Sequence, residues 1–128
     1  MKKIVLFVSV FAAMFLVKPV QAQEKAKWNE KDAFHEVMSK TFHPAEEGKL
    51  EPIRARSGEM LTKAIAWKNS TAPAGYDKAA IQKNLNKLVK GVKKLDKLVK
   101  KNASDADLKG QLTELHTLFH EITEKCEH

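Results

Sequence analysis

The sequence predicts an all-α fold, an antiparallel up-down-up-down four-helix bundle, on three observations. Apolar residues recur at steps of three and four in four separate stretches, each long enough for several helical turns. Gly and Pro are scarce while Lys, Leu, Ala and Glu are abundant, a composition that favours helix. The connections between the stretches are short, which makes consecutive helices antiparallel neighbours.

Residues 1–22 read as an export signal and not as part of the fold. Lys2 and Lys3 form a basic start, Ile4 to Val17 an apolar core, and Val20-Gln21-Ala22 a small-residue cleavage site, so cleavage is expected after Ala22. The apolar run is short for a membrane span and no later segment replaces it, so the exported chain is expected to have no membrane span. Absence of a cysteine after the apolar stretch argues against a lipoprotein, and the expected location is the periplasm. Residues 23–128 then form one bundle domain, large enough for a single core. Cys126 is the sole cysteine and cannot form an internal disulfide; thiolate ligation or a disulfide across a homodimer stays open. Loss of Lys2, Lys3 and Lys18 lowers the formal net charge from +7 to +4. That mild excess is not the mark of a nucleic-acid binder.

The first helix is expected from about Asn29, capping with Asp32 at the third position, through Phe34, Val37, Met38, Thr41 and Phe42 to about His43-Pro44. Pro52 suits a first helical turn, and Ile53, Ser57, Met60, Ala64 and Trp67 mark a second helix ending near Asn69. Pro73 and Gly75 make residues 70–75 a loop. From Asp77 onward Ile81, Leu85, Leu88, Val92, Leu95 and Val99 repeat the spacing without a break despite Gly91. Ser104 with Asp107 reads as a capping box before Leu108, Leu112, Leu115, Phe119, Ile122 and Cys126.

His116 and His120 stand four residues apart on the last helix, so their imidazoles lie one above the other. In an antiparallel bundle His35 on the first helix is level with His120, and His116 falls toward the level of Met38 and Ser39. His43 lies two turns, or ~12 Å, beyond His35 and is the weaker member, its plain role being to close the last turn against the helix dipole. His35, His116 and His120 are therefore the expected metal ligands, with Met38, Asp32 or Glu124 as candidates for a fourth. Three neutral imidazoles suit zinc, copper or nickel, and bundles commonly place metal sites between facing helices. The plain alternative is a pair of solvated histidines on an exposed flank.

Several segments also resemble a known family. The turn Phe42-His43-Pro44-Ala45-Glu46-Glu47-Gly48, the helix Ile53 to Trp67, and Met38 opposite a histidine of the last helix make the layout similar to the cytochrome c prime and soluble cytochrome b superfamily of exported four-helix bundles. The resemblance implies Met38 and His120 as axial ligands of a non-covalent b-type haem, with Phe34, Phe42 and Phe119 lining its pocket. It departs from the c prime branch at Lys125-Cys126-Glu127-His128, where the family has CxxCH, and this excludes covalent haem attachment.

The third helix carries Lys83, Lys87, Lys90, Lys93, Lys94, Lys97, Lys100 and Lys101 around its apolar stripe. A solvated face accounts for them, with an anionic lipid or an acidic envelope partner as the rival. No aromatics interleave with the lysines, which argues against single-stranded nucleic acid. Arg54 and Arg56 have no accompanying phosphate loop. Neither a Gly-rich loop nor a nucleophile elbow is present, so no enzyme is expected. The expected function is metal storage, delivery or sensing, with a haem protein or a metal-free adaptor or chaperone-like bundle as alternatives.

Overall fold

The structure is a computed structural model that describes residues 26–126. The expected signal segment and His128 lie outside the described residues, as does the side chain of Cys126. Four helices follow one another: α1 (Asn29–Glu46), α2 (Glu51–Asn69), α3 (Lys78–Lys100) and α4 (Asp105–Cys126). Each packs against its neighbours in the chain, and α1 also packs against α4, so α1 and α3 are diagonal, as are α2 and α4. Cross-helix pairs fix the directions. Trp28 before α1 meets Ser70 after α2, Ser57 early in α2 meets Asp96 late in α3, and Gly91 of α3 meets Gln111 of α4. Every consecutive pair is antiparallel.

The core is made of the expected stripes. On α2 all five marked residues, Ile53, Ser57, Met60, Ala64 and Trp67, are buried; on α3 all are buried except the partly covered Val99. Burial of these side chains from four faces is the main stabilising term, each large aliphatic contributing about 1.5–3 kcal/mol. Gly91 is explained by the approach of α4: a Cβ there would lie 2.5 Å from Leu115 Cδ2, while Gln111 Nε2 donates to the Gly91 carbonyl at 3.0 Å. The helix-propensity cost of Gly91 is thus offset by close α3–α4 packing.

Two boundaries differ from expectation. Trp28, and not Asn29, holds the cap position of α1, with no side-chain cap bond. Its ring is 1 % exposed, its Nε1 donates to Ser70 Oγ at 2.8 Å, and it packs on Trp67 and Tyr76. Burying an indole outweighs a cap worth about 1 kcal/mol. At its other end α1 continues past Pro44 to Glu46. Proline lacks one donor and restricts the residue before it, but leaves the following residues free to stay helical. The Pro44 carbonyl then accepts from the amides of Glu47 and Lys49, and Gly48 at φ +87° turns the chain into α2.

Asp77 caps α3 by accepting from the Ala80 amide, and Ser104 caps α4 by accepting from the Asp107 amide. Arg54 donates to the Ala103 carbonyl and to Asp105 Oδ1, both at 2.8 Å, tying the start of α2 to the α3–α4 turn, where Asn102 adopts φ 57°. Arg56 pairs with Glu59 and Glu36. Both arginines therefore have structural partners.

Candidate metal centre

The α1–α4 interface is the sparsest of the four, and stacked rings occupy it. Phe34 of α1 meets Phe119 of α4 at a centroid distance of 5.9 Å. Two imidazoles rest on phenyl rings of the opposite helix: His116 on Phe42 at 3.8 Å and 7°, and His35 on Phe119 at 4.9 Å and 22°. Both phenyl rings are buried, so each histidine lies with one face on the core and an edge toward solvent. Flat stacking fixes ring planes that an exposed histidine would otherwise sample freely.

Helical spacing brings His116 and His120 together, and their Nε2 atoms lie 3.2 Å apart with ring planes at 84°. At this distance one Nε2 donates and the other accepts, so the accepting nitrogen carries no proton. The same separation suits a shared cation. Two nitrogens each ~2.05 Å from one ion and 3.2 Å from each other subtend roughly 100°, close to a tetrahedral angle. Such an ion would lie ~1.3 Å to one side of the line between the two nitrogens, with both rings turned to aim Nε2 at it.

Electrostatics favour the neutral, ligand-competent form. Burial against Phe42 and then the neighbouring His120 hold His116 below the ordinary histidine value of 6.5; His43 and His35 act the same way, and Glu46 opposes them. His35 is also lowered, chiefly by burial and by Lys31, with Asp32 opposing and with His120 and His43 adding to the shift. Four imidazoles thus share one electrostatic environment along this seam.

The level of His116 is the main departure from expectation. His116 sits against Phe42, about one turn farther along α1 than the expected level of Met38 and Ser39, and this brings it toward His43 and Glu46. His43 Nδ1 lies 3.5 Å from Glu46 Oε1. Helical rise places His43 two turns from His35, and both act electrostatically on His116. The cue in the sequence was the adjacency of Phe42 and His43, which puts an aromatic platform beside an imidazole.

The other candidates are distributed differently. Met38 is 1 % exposed and belongs to the core, Asp32 lies 3.6 Å from Lys31, and Glu124 is exposed. Phe34, Phe42 and Phe119 pack on one another's neighbours or on imidazoles, so a porphyrin between Met38 and His120 would require the Phe34–Phe119 and Phe34–Trp67 contacts to part. Among the described residues no three His, Cys, Asp or Glu side chains are gathered on a single point, so the arrangement consists of one close pair flanked by His35 and His43. Comparisons of the chain with known protein families, with curated proteins and with solved structures find no match.

Proposed function

We propose that the protein is an exported, periplasmic four-helix-bundle metal-binding protein that holds a divalent transition metal, zinc or copper, for storage, delivery or sensing. His116 and His120 are the primary ligands and His35 is the third, drawn from α1. The observation that carries this reading is the 3.2 Å separation of the two Nε2 atoms, a distance that one ion can span. His35 is exposed and can leave Phe119 by rotating its side chain, closing a site of three neutral donors with a position open to water or a partner. His43 and Glu46, which both act electrostatically on His116, are candidates for that further ligand.

The resemblance to the soluble cytochrome b superfamily supports a haem-binding alternative through Met38 and His120, and the packed phenyl rings weigh against it. A metal-free adaptor bundle is the remaining alternative. The mature chain from Gln23, purified without a histidine tag, separates the three. Elemental analysis and a visible spectrum are followed by zinc and copper titration of the chelator-stripped protein and of its His116→Ala/His120→Ala variant. Uptake of one equivalent by the wild type, lost in the variant and without a Soret band, is the expected result. A Soret band with stoichiometric iron would move the assignment to haem, and no uptake of either metal would leave the adaptor.

A further inference from the structure

We infer that the outer face of α3 docks the protein electrostatically on an anionic lipid surface. Lys83, Lys87, Lys90, Lys94, Lys97 and Lys101 follow one another at alternating steps of four and three. They form a single row ~27 Å long, at 1.5 Å rise per residue. The row is half a turn away from the buried stripe of Ile81, Leu85, Leu88, Val92 and Leu95, and all six lysines are exposed. Among the described residues none of the six makes an ion pair or a side-chain hydrogen bond. The single acid of α3, Asp96, faces inward to Ser57 and takes Lys100, which lies outside the row. Like charges at steps of three and four oppose helix formation, so the row costs the fold something and gains no internal partner for it.

The shape and chemistry of the row favour a plane of phosphate over a folded protein. A convex helix touches a plane along its whole length, and six ammonium groups in one line can then reach headgroups together. Lysine is depleted from the cores of protein interfaces, whose anchors are aromatic residues and arginine. The row contains neither. Ile65, the large apolar side chain exposed among the described residues, belongs to α2. With no apolar group to insert, attachment is peripheral and reversed by salt. On the diagonal helix α1, Glu30, Asp32, Glu36 and Glu46 outnumber Lys31 and Lys40, so charge is segregated across the bundle and favours one orientation at the surface.

The test is sedimentation of the chain from Gln23, which contains every core residue from Trp28 to Ile122 among the described residues, with vesicles of phosphatidylcholine alone or mixed with phosphatidylglycerol. Binding is expected on the mixed vesicles only and is abolished by high salt. Each lysine contributes about fivefold in partitioning, so Lys87→Gln/Lys90→Gln/Lys94→Gln/Lys97→Gln should lose roughly a hundredfold or more. Lys63→Gln/Lys68→Gln on α2 should lose far less. All changes are at exposed or half-exposed positions, and circular dichroism checks that each variant remains helical. Three outcomes overturn the inference: equal binding by the quadruple variant, no binding to mixed vesicles at low salt, or row-dependent binding to polyglutamate with none to vesicles, which would assign the row to an acidic polypeptide.

Discussion

The α2–α3 and α1–α4 interfaces hold the same bundle together by different means. Between α2 and α3, apolar stripes meet closely and one buried polar contact is fully paired: Asp96 accepts from Ser57 at 2.7 Å and from Lys100 at 3.0 Å. Between α1 and α4 the backbones stand farther apart, and phenyl and imidazole rings fill the gap. The first arrangement closes the Asp96 carboxylate on Ser57 and Lys100. The second exposes imidazole edges beside a buried platform. The stacked imidazoles thus lie at the sparsest of the four interfaces.

The contrast can be broken most severely at the aromatic end. Trp67 is fully buried, contacts Trp28, Phe34 and Phe119, and carries the one buried side-chain polar atom without a hydrogen-bond partner among the described residues. Trp67→Ala should cost about 3–5 kcal/mol in denaturant unfolding, because the cavity would open against Trp28, Phe34 and Phe119. Asp96→Ala should cost about 1–3 kcal/mol, mainly by leaving the buried Ser57 hydroxyl without its acceptor, and should leave metal uptake unchanged in a titration.

Phe42→Leu sharpens the comparison from the other side. A volume-similar exchange should lower stability by less than about 1.5 kcal/mol, yet it removes the platform that fixes His116. Metal affinity should fall about 10–100-fold, the usual effect of losing a group that orients a ligand. Equal affinity would show that stacking on Phe42 does not matter to the site.

The smallest effect is in pH dependence, and the two interfaces should separate in it. His116 and His35 have folded values below 6.5, so the unfolded chain binds more protons in this range. Their contribution is complete above 6.5 and is lost progressively as pH falls toward the folded values. Asp96 is held below its ordinary 3.8 by the bonds from Ser57 and Lys100, so its contribution persists above 3.8 and is lost only as pH falls through the lower folded value. Urea midpoints across pH should therefore decline in two stages. Removing both His116 and His35 as alanines should erase the upper stage, and Asp96→Asn should reduce the lower one.

Much of this was legible in the sequence because it depends on periodicity. Ile53, Ser57, Met60, Ala64 and Trp67 are buried as their spacing requires, and the i, i+4 relation of His116 and His120 suffices to bring their nitrogens together. α1 starts at Asn29 as its sequence suggests, but the capping residue differs because a cap is a local hydrogen bond, whereas Trp28 is held by Ser70, Trp67 and Tyr76 from distant parts of the chain. The level of His116 was hidden for a related reason. Rise along one helix gives the level of a residue, but stacking on Phe42 sets how far His116 leans along the facing helix. Asp96 carried a readable sign: it falls four residues after Val92, within reach of the apolar stripe and amid lysines.

The pairing of His116 with His120 is tested most directly by following imidazole nitrogens in ¹⁵N NMR during zinc titration of the metal-free chain from Gln23. The Nε2 signals of His116 and His120 are expected to shift together and saturate at one equivalent, with a ring nitrogen of His35 following. Saturable zinc binding that leaves both Nε2 signals unmoved, or no zinc-dependent shift in any histidine, would contradict it.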